Sequence, residues 1–407
     1  MNSKSIGIGA GAIVVVLGLF WWAIGPDWRA VLSDPPRSAD IFELRTEQRP
    51  LAFRMADRVP FVAKSRPVAA GDNVRVLEQG DDLDIDMDVD ALLEKHQTSG
   101  LVIVHNGKIR MERYRLGFGP GKRFFSFSVG KSFAATLVGV AIQDGYISSV
   151  DQLVTDFIPE FKGSAYDGVT IDQILSMTTG VKWDEDYSDP ESDIRRMGNH
   201  VADEGSNIPN IVDFMSQLPR AHPPGEQYKY NSGETSLIAV MLQRAIDRPL
   251  AYYLSEKIWK PFGMEDDARW FLSKDGVEIG SGALMVTARD YARFGLFALE
   301  QLKGIGTPIV SSEFMKQATS FQAVSGYQWD YGYQWWIGKP DAFPGGAFLA
   351  DGIYGQGIFV DPSRDLIIVT NNSWTTPGGG KNNEFAERDV FFKAVQAAID
   401  KENSGAS

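Results

Sequence analysis

The sequence predicts an α+β fold whose sheet closes late in the chain, because β-rich runs occupy both ends of the main region and helical patterns lie between them. The early runs, Leu101–His105 and Ile109–Tyr114, are separated by an Asn-Gly pair that is typical of a type I′ hairpin turn. Residues 150–270 have mainly helical patterns, with loops expected at 178–210. We therefore expect an early hairpin followed by a largely helical insertion.

The late β-rich runs are Gly357–Val360 and Leu366–Thr370, and an Asp-Pro-Ser sequence at 361–363 predicts the turn between them. After them, Asn383–Asp400 has the pattern of an amphipathic helix. Strands this far from the early hairpin must return to it to form one sheet. No internal repeat is visible.

The composition excludes several classes of protein. The chain has 407 residues, 40 Lys and Arg against 53 Asp and Glu, and a formal net charge of −13, which argues against a general nucleic-acid binder. It has no Cys, so disulfides, thiolate metal sites and a cysteine nucleophile are excluded. Its four His are not spaced as a metal centre would require, and we expect neither a metal nor an organic cofactor.

The N-terminus predicts a membrane helix over residues 6–24, a run of 19 residues without a charge. Such a helix would span about 28 Å, close to the apolar thickness of a bilayer. Trp21 and Trp22 lie where an interfacial aromatic belt would be. A cleaved signal peptide is the alternative, but Pro26 gives its best cleavage site poor geometry.

These patterns divide the chain into five parts. A short tip over 1–5 and the membrane segment over 6–24 come first. A tether and N-terminal extension rich in Pro, Arg and Asp follows over 25–89. The main domain spans 90–400, and a disordered tail spans 401–407.

The sharpest chemical pattern is Ser128-x-x-Lys131, at the start of a helix-length apolar run over Ser126–Gln143 that Gly145 terminates. The i, i+3 spacing puts the Lys131 amine beside the Ser128 hydroxyl on one face of a helix. Burial in an apolar helix would lower the pKa of the amine, which could then take the proton of the serine. The helix start would also direct N–H groups at a developing oxyanion.

Three other interpretations use the same residues. Gly130-Lys131-Ser132 matches the end of a phosphate-binding loop, but Phe125 stands where that motif needs glycine. Residues 126–130 resemble a nucleophile elbow, except that Ser126 replaces its first glycine. Lys131 could also be a solvated lysine near a helix start. The local sequence alone does not decide between a nucleophilic Ser128 activated by Lys131 and a solvated Lys131 without a catalytic role.

Two distant segments could complete a site. Tyr230 lies in the run Tyr230-Asn231-Ser232, and a nearby amine could lower the pKa of its phenol so that it shuttles a proton. A buried tyrosine with a satisfied hydroxyl is the alternative. A glycine-rich run over 352–357 permits close approach of the backbone to a ligand, although it could be an ordinary strand entry.

Several motifs in order resemble the serine β-lactamase and penicillin-recognising superfamily over about residues 90–400. They are SVGKS, VTIDQILSMTTGVKWDEDY, PPGEQYKYNSGETSLIAVML, IWKPFGMEDDARW, TARDYARFG and the late glycine run. The similarity is strongest to the class C-like branch, which includes family VIII esterases and 6-aminohexanoate-dimer hydrolases. It implies a β-lactamase-like α+β fold with an antiparallel sheet flanked by helices and an inserted, mostly helical region.

The resemblance also implies the roles of individual residues. Ser128 would be the acylated nucleophile, Lys131 its base and Tyr230 the proton relay, with Ser232 beside them. The N–H groups of Ser128 and Ile353 would form the oxyanion hole.

Other positions of the resemblance bear on the substrate. Ala350-Asp351-Gly352 stands where β-lactamases carry K-T-G and the esterases H-x-G, so a β-lactam carboxylate would lose its cation. Trp183 and Tyr187 lie in an acidic, aromatic stretch where related amide hydrolases cover their substrate, although an exposed loop without a role fits equally. For the aromatic stretch Tyr327–Trp336 we favour core packing over an acyl pocket.

The sequence therefore predicts a membrane-anchored serine hydrolase that cleaves small ester or amide substrates through an acyl-serine. Its partners would be that substrate and, through residues 6–24, a lipid bilayer, with no nucleic acid. The resemblance places the anchor in the inner membrane and the catalytic domain in a periplasm or outside the cell. The alternatives are a penicillin-binding D,D-peptidase or β-lactamase, and a non-catalytic cell-envelope binding protein that keeps the fold.

Overall fold

The computed structural model describes residues 19–36, 40–58, 64–202, 210–321 and 331–405. Within these ranges the chain forms two β-sheets, with helices packed on both faces of the larger one. The prediction of an α+β fold with an antiparallel sheet flanked by helices and a mostly helical insertion is confirmed.

The larger sheet has seven strands in the order β2-β4-β3-β11-β10-β9-β8, and all neighbours are antiparallel except β2 and β4. Its strands are β2 (Glu78–Gln79), β3 (Gly100–His105), β4 (Lys108–Tyr114), β8 (Trp336–Ile337), β9 (Phe348–Gly352), β10 (Gln356–Asp361) and β11 (Leu366–Asn371). The early hairpin thus pairs with the late strands through β3 and β11, as the sequence predicts.

A smaller antiparallel sheet has the order β1-β6-β7-β5. Its strands are β1 (Ser65–Val68), β5 (Arg123–Phe125), β6 (Ala268–Phe271) and β7 (Leu284–Thr287). This sheet was not predicted, because its strands have only three or four residues and too little pattern to be recognised. It matters for the site because β5 leads directly into Ser126.

The helices lie before, between and after these strands. In chain order they are α1 (Gly25–Ser33), α2 (Arg49–Met55), α3 (Val89–Lys95), α4 (Val129–Gln143), α5 (Ile171–Leu175), α6 (Asp193–Ala202), α7 (Ile211–Ser216), α8 (Ser232–Ile246), α9 (Leu250–Leu254), α10 (Lys260–Phe262), α11 (Ala288–Lys303), α12 (Ser312–Ala318) and α13 (Glu384–Gly405). A π-helical turn over Ser255–Trp259 joins α9 to α10.

Alternation along the central strands builds two apolar layers. In β11, Ile367 and Val369 join the main core around α4 and α11, whereas Leu366 and Ile368 join the layer under α13. Side chains of a strand point alternately to its two faces, so a fully apolar strand can serve both layers. The chain therefore buries α4 at its centre, where nearly every side chain of that helix is enclosed.

The turns that the sequence predicts are present. Asn106 and Gly107 both have positive φ, 52° and 75°, as a type I′ hairpin turn requires. Between β10 and β11 the Asp361 carboxylate accepts the N–H of Ser363 at 2.9 Å, which closes the predicted turn. The helix predicted over Ser126–Gln143 begins later, at Val129, because Ser126 donates its N–H to Leu284 next to the smaller sheet.

Three segments are more ordered than the sequence predicts. Residues 401–405 of the predicted disordered tail over 401–407 form the end of α13. The region 178–210, expected to form loops, contains α6. The segment 25–89, expected to be a tether and an irregular extension, contributes α1, α2 and β1 to the fold. Phe53 of α2 is fully buried in the main core.

The prediction of a membrane helix over residues 6–24 is wrong. In the part of the chain that the structure describes, no helix combines the length and the apolar character needed to cross a bilayer. Residues 6–18 of the predicted segment lie outside the described residues. The helical stretch over 19–23 is interrupted at Ile24, and Asp27 of the following α1 is bound by Arg54 at 2.9 Å. The predicted membrane-anchored localisation is overturned with it, and the predicted bilayer partner is not supported.

Candidate active site

Ser128 is held at the start of α4 by a strained connection from β5. Phe127, between the strand and Ser128, has a φ of 45°, in the left-handed region that non-glycine residues rarely occupy. Such conformations cost roughly 1–3 kcal/mol and cluster at functional sites. Ser128 is half-buried, and its backbone N–H has no acceptor among the described residues. The N–H of Ser128 is thus unpaired within the described residues, as an oxyanion donor must be.

Two glycines let other segments approach this turn. A Cβ at Gly352 would lie 2.8 Å from the carbonyl oxygen of Ser126, and a Cβ at Gly282 would lie 2.7 Å from that of Phe127. Only glycine fits at such separations. The end of β9, and therefore Ile353, consequently lies against the connection that carries Ser128.

The amine of Lys131 is enclosed beneath Ser128. The side chain is 1% exposed, and Nζ donates hydrogen bonds to Ser232 Oγ at 2.9 Å and to the carbonyl oxygen of Ser281 at 2.7 Å. Burial lowers the pKa of Lys131 to about 8, although the negative charge of Glu185 opposes that shift. The sequence did not identify Ser281, whose contact follows from the close approach of Gly282.

Tyr230 meets both residues of the Ser-x-x-Lys pattern. Its phenol lies close enough to Ser128 for that side chain to lower its pKa, and its ring centre lies 5.3 Å from Lys131 Nζ. The expectation that the amine lowers the pKa of this phenol is wrong. Burial, together with the negative charges of Glu185 and Asp351, raises the pKa of Tyr230 well above its usual value. Tyr230 is therefore a neutral phenol, able to donate a proton.

Glu185 is a carboxylate at the centre of the site that sequence reasoning missed. It accepts the N–H and the O–H of Ser232, at 3.0 Å and 2.5 Å. The Ser232 hydroxyl therefore links the Lys131 amine to this carboxylate. The acidic stretch around Glu185 is visible in the sequence, but Ser232 lies 47 residues further along the chain, and no local pattern indicates that the two residues pair.

Trp183 and Tyr187 bind the same carboxylate. The Tyr187 hydroxyl donates to Glu185 at 2.7 Å, and the Trp183 indole N–H also donates to it. Burial and the charge of Glu185 raise the pKa of Tyr187 well above its usual value. The structure thus brings Trp183, Tyr187 and Ser232 together beside Lys131 and Tyr230, whereas an unattached surface loop would have left them apart.

A second acid, Glu234, lies deeper at the start of α8. It is 1% exposed and accepts hydrogen bonds from the Thr179 hydroxyl, from Asn231 Nδ2 at 3.2 Å and from the Tyr166 hydroxyl at 3.4 Å. Burial raises the pKa of Glu234 to about 8. This network ties the first turn of α8, which carries Ser232, to the loop at Thr179.

The aromatic stretch serves two purposes. Tyr333 and Trp335 are almost fully buried in the main core, which confirms core packing for these two residues. Trp336 instead stacks on Tyr230, with ring centroids 5.6 Å apart and planes at 21°, and Tyr331 packs edge-on against both rings. Residues 327–330 lie outside the described residues.

The strand behind the site carries no cation where related lactamases have one. Ala350 is fully buried in the main core. Asp351 forms an ion pair with Arg388, whose two Nη atoms lie 2.6 and 3.2 Å from its carboxylate oxygens. Within the described ranges, no group of three His, Asp or Glu side chains is placed to hold a metal ion.

Comparisons with known proteins agree with this arrangement. The family model described as Beta-lactamase matches residues 85–390. A 6-aminohexanoate-dimer hydrolase from Paenarthrobacter ureafaciens is 30% identical over 304 residues, which are 71% of this chain and 76% of the relative.

Solved structures share the fold. A Bacillus anthracis protein provisionally assigned as a 6-aminohexanoate-dimer hydrolase superposes with a TM-score of 0.76 at 23% identity, covering 90% of this chain and 99% of its own. EstCE1, a hydrolase with promiscuous acyltransferase activity, has a TM-score of 0.60 at 14% identity, covering 76% of this chain and 96% of its own.

The family match spans most of the chain, and the 30% identical relative is a hydrolase. The alternative of a non-catalytic binding protein is set aside, since the fold, the family and the named relative all indicate a hydrolase. The chain belongs to the β-lactamase family, as a serine hydrolase from the branch that resembles the 6-aminohexanoate-dimer hydrolases.

Proposed function

We propose that the protein cleaves ester or amide bonds through an acyl-serine formed on Ser128, with Lys131 and Tyr230 moving the proton. The observation that carries the proposal is the buried amine of Lys131, one helical turn from Ser128 and 5.3 Å from the ring centre of Tyr230, whose pKa is lowered to about 8. A serine becomes a nucleophile only when a neighbour takes its proton.

The proton steps follow from the contacts. Neutral Lys131 has two N–H groups, which donate to Ser232 and Ser281, and one lone pair that accepts the Ser128 proton. Ser128 Oγ then attacks the substrate carbonyl, and the N–H groups of Ser128 and Ile353 hold the oxyanion. The bond to the leaving group breaks as the Tyr230 hydroxyl gives it a proton, and the Lys131 ammonium returns a proton to Tyr230.

Water completes the cycle by the same route. It attacks the acyl carbonyl, gives its proton to the Lys131–Tyr230 pair, and releases the acid while Ser128 regains its hydrogen. Glu185 takes no proton in these steps. It holds Ser232, which in turn orients the Lys131 amine.

The substrate to test first is the 6-aminohexanoate dimer, because the 30% identical relative is a hydrolase of that compound. A penicillin-binding or β-lactamase activity is the second candidate. The buried Ala350 and the ion pair of Asp351 with Arg388 speak against it, since position 350 offers a β-lactam carboxylate no cation and Arg388 is already paired.

Covalent labelling tests the nucleophile. We expect a fluorophosphonate probe to label the wild type, with intact mass showing one adduct and peptide mapping placing it on Ser128. Ser128→Ala should not be labelled. Ser132→Ala is a matched control on the same helix, since the Ser132 hydroxyl only donates to the carbonyl oxygen of Gln334. Equal labelling of wild type and Ser128→Ala would overturn the proposal.

A further inference from the structure

A segment that precedes the main domain packs against the candidate active site. We call residues 40–55 the strap, and they lie before the residues 85–390 that the family model matches. Phe53 of the strap is fully buried and meets the Phe127 ring edge-on, with ring centroids 4.9 Å apart. Because Phe127 directly precedes Ser128, this end of the strap lies against the connection that carries the proposed nucleophile.

Arg49 fixes the middle of the strap to another part of the site. It is 7% exposed, and its Nη1 donates to the carbonyl oxygens of Trp374 and Thr375 at 2.7 and 2.9 Å. Its guanidinium also lies 4.6 Å from the centre of the Tyr354 ring, and Tyr354 directly follows Ile353. The strap is therefore anchored by two buried side chains of α2.

The first residues of the strap bind the segment that carries Glu185. Asp40 accepts a hydrogen bond from Arg195 Nη2 at 2.5 Å, and Arg195 Nη1 donates to the carbonyl oxygen of Tyr187 at 3.3 Å. The centre of the Phe42 ring lies 4.7 Å from the Arg195 guanidinium carbon and 5.4 Å from the centre of the Tyr187 ring. We call Asp40, Phe42 and Arg195 the latch.

A chain of hydrogen bonds leads from the latch to the proposed base. The Tyr187 hydroxyl donates to Glu185 at 2.7 Å, and Glu185 accepts the O–H of Ser232 at 2.5 Å. Ser232 Oγ in turn accepts from Lys131 Nζ at 2.9 Å. Asp40 thus reaches Lys131 through side chains that are in contact at every step.

We propose that Asp40 is a positioning residue, which acts through Arg195 to hold the Glu185 carboxylate in its place. The ion pair is largely enclosed, with 25% of the Asp40 side chain and 13% of the Arg195 side chain exposed, so solvent screens it less than a surface pair. Its loss would free Tyr187 and Glu185 to move away from Lys131. The part of this inference that concerns Lys131 rests on the proposed function, whereas the holding of the segment does not.

Other titratable groups also face Glu185 or the latch, among them Tyr187, Tyr230, Glu234 and Tyr354. Burial raises the pKa of all four. The charge of Glu185 adds to this rise for the first three, and that of Asp40 adds to it for Tyr354, where Arg49 and Arg195 oppose it. The tyrosines therefore keep their protons in the range where Lys131 titrates. Glu234 titrates in the same range, so the test compares two backgrounds that both retain it.

Hydrogen exchange on the full-length protein tests whether the latch holds the segment. Asp40→Asn keeps an oxygen for the Phe42 N–H, which Asp40 Oδ1 accepts at 2.9 Å, but removes the charge that binds Arg195. We expect peptides over 183–195 to exchange their amide hydrogens about fivefold faster in this variant than in the wild type.

Asp34→Asn is the matched control, because Asp34 forms an exposed ion pair with Arg45 of the strap. Its exchange over 183–195 should equal that of the wild type. Unchanged exchange in Asp40→Asn, or an equal increase in Asp34→Asn, would overturn the latch. If Asp40→Asn does not fold, Phe42→Leu, which loosens the packing on Tyr187, should give the same faster exchange.

The pH profile of kcat/KM for p-nitrophenyl acetate tests the effect on Lys131. Burial lowers the pKa of Lys131, and the charge of Glu185 opposes that shift. A carboxylate that is held less firmly opposes it less, so the rising limb in Asp40→Asn should move to lower pH. In the Glu185→Gln background the same substitution should leave the limb in place, because the carboxylate that Asp40 positions is gone.

A purely structural role for Asp40 would lower the melting temperature and leave the limb where it is. Asp40→Glu, which keeps the charge, should bring the limb back towards its wild-type position. An unmoved limb in Asp40→Asn, or an equal shift in both backgrounds, would overturn the action through Glu185. If the wild type neither hydrolyses the ester nor labels at Ser128, the proposed function fails together with the part about Lys131, and hydrogen exchange still decides whether the latch holds the segment.

Discussion

The first turns of α4 and α8 meet at the site, and each buries one ionisable group. Lys131 in α4 and Glu234 in α8 are both 1% exposed. Burial disfavours the charged form of either group, so it lowers the pKa of the lysine and raises that of the glutamate, to about 8 in both cases. At neutral pH Lys131 is therefore mostly charged but close to losing its proton, whereas Glu234 is mostly protonated and uncharged.

Lys131 and Glu234 have different surroundings, and these indicate a catalytic role for the first and a structural role for the second. Lys131 is bonded to Ser232 and lies beside Tyr230, which contacts Ser128. The bonds of Glu234 run instead to Thr179, Asn231 and Tyr166, away from Ser128. A perturbed pKa alone thus does not identify a catalytic group. The contacts of the group decide its role, and substitutions in the two helices should have different effects.

Replacing Lys131 should have the largest effect on activity. Lys131→Met keeps an apolar chain of similar length but removes the base, and we expect kcat/KM for p-nitrophenyl acetate to fall about 10³-fold. Lys131→Arg should be equally inactive, because a guanidinium does not release its proton near neutral pH. Circular dichroism and thermal melting would establish that both variants fold. Activity within tenfold of the wild type in either variant would exclude Lys131 as the base.

Removing the Tyr230 hydroxyl should lower activity less than replacing Lys131 does. Tyr230→Phe keeps the ring that stacks on Trp336 but loses the hydroxyl next to Ser128. We expect kcat to fall about 10²-fold, and more for an amide than for an activated ester, because an amine leaving group needs the proton. The kcat values of the wild type and of Tyr230→Phe on an amide and on an activated ester measure whether the loss is larger for the amide. Equal losses on both substrates would contradict proton donation by Tyr230.

Glu185→Gln should alter the pH dependence more than the rate. The negative charge of Glu185 raises the pKa of Lys131, so its removal lets that pKa fall further. The rising limb of kcat/KM should move to lower pH, with a loss at the plateau of about tenfold from weaker positioning of Ser232. Asp184→Asn, at an exposed neighbour, is the matched control. An unchanged limb in Glu185→Gln would show that the carboxylate does not act on Lys131.

Glu234, at the start of α8, should affect stability strongly and catalysis little. Because the folded-state pKa of Glu234 is about 8, well above its value in the unfolded chain, the folded protein holds a proton that the unfolded chain has lost. Stability of the wild type should therefore fall as pH rises from acidic values to about 8. Glu234→Gln removes this term, so its melting temperature should exceed that of the wild type by a margin that grows with pH. A margin that is constant or shrinks would contradict a buried, protonated Glu234.

Patterns local in sequence predicted much of this architecture. The hairpin at 101–114 needs only an Asn-Gly pair between β-rich runs, and the packing of Ser128 and Lys131 on one helix follows from an i, i+3 spacing. The strands near 357–370 are apolar on both faces, which is typical of the centre of a sheet. These features depend on neighbours along the chain.

Features that depend on distant partners were not predictable in the same way. Glu185 gains its place in the site only by meeting Ser232, and the smaller sheet assembles four short strands spread from Ser65 to Thr287. The membrane prediction failed for a related reason. A run of uncharged residues met a length criterion, whereas the described part of that run is a short helical stretch over 19–23 that ends at Ile24.

The rate of Ser128 acylation as a function of pH tests the central claim most directly. A fluorophosphonate probe reports this single step, and the claim is that the step requires the uncharged amine of Lys131. We predict a labelling rate that rises with pH to a plateau, with its midpoint near the pKa of about 8. The limb should be lost in Lys131→Met. A wild-type rate that is independent of pH across this range, or a limb retained in Lys131→Met, would contradict the account.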